Sequence, residues 1–372
     1  MVRVEEVKTR RQRKEFINFP LRLYKGNPCF VPPLYMDEKA LFKGTVYDEQ
    51  AESVFYLAYR ENKVVGRIHG ILQHVSNEKW GQKRVRFTRF DSIDDQEVAN
   101  ALFNAVETWA KAKGMDTVVG PLGFSDLERE GLLIEGFDQL STFEEQYNYP
   151  YYQRLIENAG YEKEIDWTER KLYFPKELDE RIPRLSARML EKYGLRFGDA
   201  KNSRDFVKRY GDKFFEVLDK TYVAIYQSVP FSEKMKKQLL KSFSLIINVR
   251  YTAVILDKDD NVVCFGVAFP AIGKALQKSG GRLTLPALLR VLKAMKKPEV
   301  IDLALIGVLE EYRCKGVATA IVNEIMNMLK DKNVDHAETN LNLETNVSIQ
   351  NQWKSFDSVL HKRRRAFVKT IL

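Results

Sequence analysis

Cysteine is scarce in this chain. Cys29, Cys264 and Cys314 lie far apart along 372 positions, which argues against a disulfide framework and leaves too few thiolates for a zinc site. Histidine is equally thin, with four residues and no paired ligand spacing, so metal catalysis is not expected and no metal site is assigned. Long apolar runs are missing as well: no window approaches the roughly 20 residues that cross a bilayer. The opening "MVRVEEVKTRRQRK" has no apolar centre of the kind a secretory leader needs, so a cytoplasmic location is expected. Acid is absent from one long stretch, residues 271–297, which carries seven Lys or Arg and no Asp or Glu. That stretch reads either as a solvated surface hairpin or as a functional basic surface.

What is present suffices for packed cores: 44% hydrophobic and 12% aromatic residues. The length exceeds a usual single domain, so two are expected. A net charge of +9 favours polyanionic partners without choosing among nucleic acid, anionic lipid and a phosphorylated cofactor.

Two halves present similar successions of elements. In the first, "VRVEEVK" reads as a strand, "RRQRKEFINFPLRLY" as a basic helix and "GNPCFVPPLY" as a proline-punctuated loop. "SVFYLAYRENKVVGRIHGILQ" is a hairpin turning at Glu61-Asn62-Lys63, and "VRFTRFD" is another strand. A helix runs from Asp94 or Asp95 to Lys113, with Val98, Leu102, Ala105, Val106 and Trp109 at helical spacing and Gly114 ending it. A strand, "DTVVGPLG", a helix, "YYQRLIENAG", and a strand, "YEKEIDWTERKLYF", close this half. The second half repeats the order, with a hairpin turning at Asp259-Asp260-Asn261, the basic insertion 271–297, the strand "VIDLALIGVL" and a helix from about Lys315 to Asn333. That helix has Val317, Ile321, Ile325, Met328 and Leu329 on one face. "DHAETNLNLET", "VSIQNQWKSFD" and "KRRRAFVKTI" follow as strand, helix and strand. The join falls near residues 174–185, dividing the chain into domains 1–175 and 176–372.

One short stretch carries chemistry. In "LEEYRCKGVATAIV", Arg313, Gly316 and Ala318 follow an apolar strand and open a long amphipathic helix. The first amides of a helix have no internal partner, and the helix dipole adds about half a positive charge there. Gly316 allows close approach of a ligand to the backbone, and a pyrophosphate is the natural occupant. The run from Asp302 through "LALIGVLEEYRCKGVATAIVNEIMNML" resembles the acetyl-CoA-binding segment of the GNAT superfamily, the GCN5-related N-acetyltransferases. Residues 195–372 resemble that fold as a whole, and residues 1–173 a degenerate second copy. The expected class is therefore α/β (α+β, mixed sheet): two tandem GNAT-like domains, each a mostly antiparallel mixed sheet flanked by helices. At the corresponding place in the first half, "FDSIDDQEVANALF" has no glycine or basic residue, and Asp91, Asp94, Asp95 and Glu97 crowd the helix start. Carboxylates there cap the free amides themselves and repel a pyrophosphate. One CoA site per chain is expected, in the second half.

The resemblance implies direct transfer of an acyl group from acetyl-CoA or another acyl-CoA to an amine. It places carbonyl donors around Ile306, Gly307 and Val308, and phosphate contacts at Arg313, Cys314, Lys315, Gly316, Val317, Ala318 and Thr319. As a strand, "HAETNLNLET" puts Glu338, Asn340, Asn342 and Glu344 on one face, which either faces solvent or borders the acceptor cleft. Glu338 is the first choice for the base and Glu344 the second, with Asn340 beside them; Asp302 is a lesser choice at the start of its strand. The tyrosine that protonates the leaving thiolate in many GNAT enzymes falls here on Trp353, whose indole cannot deliver a proton. Tyr312 is nearby in sequence. In the first half, residues 120–139 are acidic and four tyrosines follow at 147–152. They read as an ordinary loop and helix cap, or as an acceptor-reading loop in which Glu130 and Glu135 attract an ammonium, with Asn342 and Trp353 completing the substrate side.

Three functions compete. The first is an N-acyltransferase, of acetyl type, acting on a small amine. The second is a long-chain acyl-CoA N-acyltransferase on a lipid amine, with "LPALLRVLKAMKK" lying on anionic membrane. The third is a non-catalytic CoA- or nucleic-acid-binding protein, for which "KTRRQRK" and "HKRRR" supply basic charge without a nucleic-acid signature. Either a monomer or a homodimer fits.

Overall fold

The structure, a computed structural model, describes residues 1–371 except 45, 46, 178 and 314, with residues 241–246 described by their backbone. The first half runs β1 (Arg3–Glu6), α1 (Arg10–Leu23), α2 (Tyr35–Ala40), β2 (Ala51–Arg60), β3 (Lys63–Gln73), α3 (His74–Trp80), β4 (Arg84–Ser92), α4 (Gln96–Ala112), β5 (Thr117–Gly120), β6 (Leu132–Glu135), α5 (Tyr151–Asn158) and β7 (Glu162–Tyr173). The second begins α6 (Arg181–Lys192), β8 (Arg196–Phe197), α7 (Ser203–Tyr222), α8 (Glu233–Ile246), β9 (Thr252–Leu256), β10 (Val262–Pro270), α9 (Gly273–Gln277) and α10 (Leu285–Lys296). It ends β11 (Val300–Val308), α11 (Glu310–Arg313), α12 (Ala318–Leu329), β12 (His336–Thr339), β13 (Asn342–Leu343), α13 (Val347–Gln352) and β14 (Asp357–Thr370).

Local chemistry sets many of these boundaries. Thr9 opens α1 with a capping box, its hydroxyl accepting from the Gln12 amide at 3.2 Å while Gln12 Oε1 accepts from the Thr9 amide at 2.9 Å. Asp95 caps α4, accepting from the Val98 amide at 3.2 Å and holding Arg60 at 2.8 Å. The acidic start of that helix is thus spent on its own backbone and a neighbouring cation, while Asp91 lies buried against Arg67 at 2.7 Å. The stretch expected to be the join continues into α6, which packs on α12.

The fourteen strands of the described residues form one sheet, with the main order β1-β2-β3-β4-β5-β14-β7-β12-β11-β10-β9-β8. Strands β1–β5 and β8–β12 are equivalent series, and each series is completed by the final strand of the other half. β14 lies between β5 and β7, and β7 between β14 and β12. The sequence boundary near 175 therefore does not separate the sheet into two independent blocks.

This exchange explains the run "HKRRR". Lys362 and Arg364 are buried; Lys362 pairs with Glu338 at 3.0 Å and Glu169 at 3.3 Å, and Arg364 with Glu169 at 2.7 Å. Arg365 pairs with Asp166 at 2.7 Å and Arg363 with Glu135 at 3.1 Å. The run is the ionic seam of the exchanged strands, so its charge is not free for a nucleic acid. Apolar cores lie on both sides of the sheet: Phe87, Phe90, Leu102, Phe103 and Tyr152 in the first half, and Ile301, Ile321, Ile325 and Trp353 with Phe214 and Phe265 in the second.

Candidate active site

Strands β11 and β12 run parallel in register from Val300 and His336 to Leu303 and Thr339. The link ends where the Asn340 amide donates to Leu303 O at 3.0 Å. Ala304 is an extra residue on β11, because Val267 faces Leu305 and Ala268 faces Leu303. Beyond it β11 continues beside β10 while the chain after Thr339 bends toward β7, pairing Asn342 with Thr168. The strands part, and the backbone groups of Ile306 and Val308, turned away from β10, face the gap. The gap opens into a cleft of about 870 Å³ lined by both halves.

One end of this cleft meets the Arg313–Ala318 turn. Arg313, Ala318 and Ile321 line it, as do Ile306, Gly307 and Val308. Gly316 has φ +74°, a conformation that favours glycine, and the nearest atom to a Cβ built there is Met189 Cε at 3.4 Å. Arg313 Nε donates to Val308 O at 3.2 Å, fastening the turn to the strand end. The expected phosphate contacts are not all free. The Lys315 amide donates to Tyr312 O at 3.1 Å and the Thr319 amide to Gly316 O at 3.0 Å. The Lys315 ammonium lies over the rings of Tyr312 and Tyr193, at 4.6 and 5.1 Å, and Val317 is buried in the core. Cys314 lies outside the described residues. Helix α12 begins at Ala318, three residues later than expected, because Glu310–Arg313 form α11 and Lys315–Val317 a turn.

The other end is walled by the first half. Glu38, Arg89, Glu128, Arg129, Glu130, Glu144 and Glu145 all line the cleft. Burial pushes the Glu144 carboxyl up to about 7 against the pull of Arg129, and Glu145 up to about 8. Burial also drives the Glu130 carboxyl well up, aided by Asp126, and its Oε1 has no hydrogen-bond partner among the described residues. Glu38 is held down at about 2: burial works against its charge, but Arg89 and Arg67 prevail. Opposite this wall, Tyr222 of α7 lines the cleft and donates its hydroxyl to Ile306 O at 3.3 Å.

Several residues singled out in the sequence are placed differently. Glu338 does not line the cleft; its carboxylate is engaged by Lys362 at 3.0 Å and His336 at 3.3 Å. Its pKa falls to about 2, burial being outweighed by the His336 hydrogen bond and Lys362. A carboxylate so held is a poor proton acceptor. Glu344 points instead to Lys163, at 2.9 Å, and the Asp166 amide, at 3.2 Å. The alternation of one polar face fails because the strand breaks after Thr339, where Asn340 Oδ1 accepts from the Leu341 amide at 2.8 Å. Asn340 and Asn342 do reach the cleft, and Trp353, buried, donates its indole N–H to Asn342 Oδ1 at 2.7 Å. Glu130 lines the cleft, whereas Glu135 pairs with Arg363 outside it. The tyrosines at 147–152 pack in and against the first-half core. Asp302 is buried with one oxygen unpartnered among the described residues, its carboxyl driven well up by burial and by Glu338. Glu144, Glu145 and Tyr222 carried no motif. Only the folding of both halves over one gap brings them to it.

No family model matches the chain. It is 28% identical over 374 residues to Protein YghO of Escherichia coli (strain K12), covering 96% of this chain and 93% of that one. It is 29% identical over 286 residues to the bacterial ceramide synthase of Caulobacter vibrioides (strain NA1000 / CB15N), covering 74% and 72%. The tandem GNAT protein from the clavulanic acid biosynthesis pathway superposes with a TM-score of 0.58 at 10% identity, covering 100% of this chain and 98% of that one. The chain therefore shares the fold of that tandem GNAT protein.

Proposed function

We propose that this protein is an acyl-CoA-dependent N-acyltransferase in which the second half binds the thioester and the first half supplies the acceptor wall. The reading rests on one observation: a single cleft joins the start of α12 to a bank of carboxylates from the other half. The residues fit the co-substrate. The opening of α12 and Arg313 suit the diphosphate, and the unpaired edge of β11 at Ile306–Val308 offers backbone donors to the thioester carbonyl.

Glu144 takes the role first sought in Glu338. It faces the cleft and its pKa of about 7 matches the working pH of a general base. The amine nitrogen, having given a proton to Glu144, attacks the thioester carbon; the C–S bond breaks and the thiolate leaves. A thiol pKa near 8.5 makes that departure undemanding, so the step needs no general acid. Several carboxyls whose pKa values are raised by burial select a cationic acceptor, because a bound ammonium supplies the counter-charge that desolvation denies their ionised forms.

The alternative of a lipid-type amine and a long acyl chain gains support from the ceramide synthase relative and from the cleft volume. No helix among the described residues is long and apolar enough to cross a membrane. Thiol release from acetyl- and long-chain acyl-CoA, measured with polyamines, amino acids, aminoglycosides and sphingoid amines, tests the proposal. Release with none of them leaves the non-catalytic binding reading in its place.

A further inference from the structure

Helix α10 presents its large side chains the wrong way round for a soluble surface. Ala287 and Val291 face inward and are buried, whereas Leu285, Leu288, Leu289 and Leu292 are 72, 42, 60 and 52% exposed. These four fall at i, i+3, i+4 and i+7, one continuous outer stripe. Leu283, just before the helix, and Met36 of α2 are exposed as well, at 46 and 61%. A patch of this kind marks an interaction site.

The insertion that carries the stripe has charge of one sign. All seven ionisable side chains of residues 271–297 are basic, and Lys293, Lys296 and Lys297 make no ion pair among the described residues. A second copy packed on this stripe would bring like charges together with no acid from the insertion to pair them. An anionic bilayer satisfies both features at once, taking leucines into its acyl boundary and lysines at its headgroups.

The insertion is also fastened to the cleft. Gln277 Nε2 donates to Pro28 O at 2.8 Å and Phe30 O at 3.0 Å, and the Tyr35 amide donates to Gly281 O at 2.9 Å. Arg282 lies over the Tyr35 ring at 3.9 Å. The inner side of α10, through Val291, packs with Leu34 and Phe143, and both of those residues line the cleft beside Glu144. We infer that α10 is a membrane-docking helix that seats the acceptor end of the cleft on an anionic lipid surface, so that an amine held in the bilayer enters past Leu34 and Phe143. This inference rests on the acyltransferase reading only for its substrate; the docking itself does not need turnover.

Sedimentation with phosphatidylcholine vesicles, with and without phosphatidylglycerol, tests it on the full chain. The expected result is binding to the anionic vesicles alone, lowered about thirtyfold or more by Lys293→Glu with Lys296→Glu and abolished by Leu285→Ser with Leu289→Ser and Leu292→Ser. The replaced leucines are exposed, and thermal unfolding of the variants should match the parent. Turnover of a short, water-soluble amine should be unchanged in the same variants. Equal binding to neutral vesicles, or a dimer dissolved by the leucine changes with no vesicle binding, overturns the inference. Vesicle binding by a protein that releases no thiol upholds the docking and removes the enzyme reading; turnover without vesicle binding does the reverse.

Discussion

Replacing Glu338 with Gln separates a structural carboxylate from a catalytic one. The side chain of Lys362 is fully buried, with Glu338 at 3.0 Å and Glu169 at 3.3 Å. Depressing the Glu338 pKa from 4.5 to about 2 corresponds to about 3 kcal/mol of preference for its charged form in the folded state. Glu169, which also holds Arg364 at 2.7 Å, is then shared between two buried cations, so the loss falls within the about 3–5 kcal/mol usual for breaking a buried pair. For a chain of this size unfolding as one unit, about 3 kcal/mol lowers Tm by roughly 4 °C. The sign with pH follows from the depression: the contribution is complete above 4.5 and is lost as pH falls toward 2. Thermal unfolding of parent and Glu338→Gln at pH 7 should show the gap, and the gap should narrow below pH 4.5. Turnover measured well below both transitions should stay within about twofold, since the carboxylate touches no part of the cleft. An unchanged Tm together with abolished turnover would falsify this assignment and restore Glu338 as the base.

Three further outcomes are expected. With Glu144 as base, kcat/KM rises through pH 7 and levels off above it; Glu144→Gln lowers the rate by about 10²–10⁴ and removes that limb, whereas a retained limb assigns the proton transfer elsewhere. Gly316→Ala forces a side chain onto φ +74° at a cost of about 1–2 kcal/mol. It should raise KM for the acyl-CoA more than it changes kcat, as read from saturation curves with each substrate. Trp353→Phe removes the 2.7 Å hydrogen bond to Asn342 Oδ1 and should cost about 1–3 kcal/mol in urea unfolding, most of it absent if Asn342 is first changed to Leu.

The helix α4 shows how much local pattern can settle. Its buried Val98, Leu102 and Val106 recur at helical spacing, and Asp95 caps it as its position before the periodic run implies. The β2–β3 hairpin is equally local, turning at Glu61 and Asn62 with φ of 49° and 64°. By contrast, α6 carries Ile182, Leu185, Met189 and Leu190 at helical spacing but overlaps the expected join, α11 is a single turn, and the break after Thr339 depends on a side chain, Asn340, bonding to its own neighbour's amide.

From the amino-acid order alone come the two similar halves, the lone glycine turn before α12, the acid-capped helix that leaves the first half without a counterpart, and the acid-free insertion. All are short-range consequences of propensity, capping and period. Tertiary structure alone decided that β7 and β14 change places, burying Lys362 and Arg364 and so removing Glu338 from the candidate bases. It also decided that Glu144, more than 150 residues before the α12 turn in the chain, shares a cleft with it. A strand's partner across the sheet, and hence the burial that shifts a carboxyl's pKa, is set by contacts distant in sequence, which no local pattern encodes.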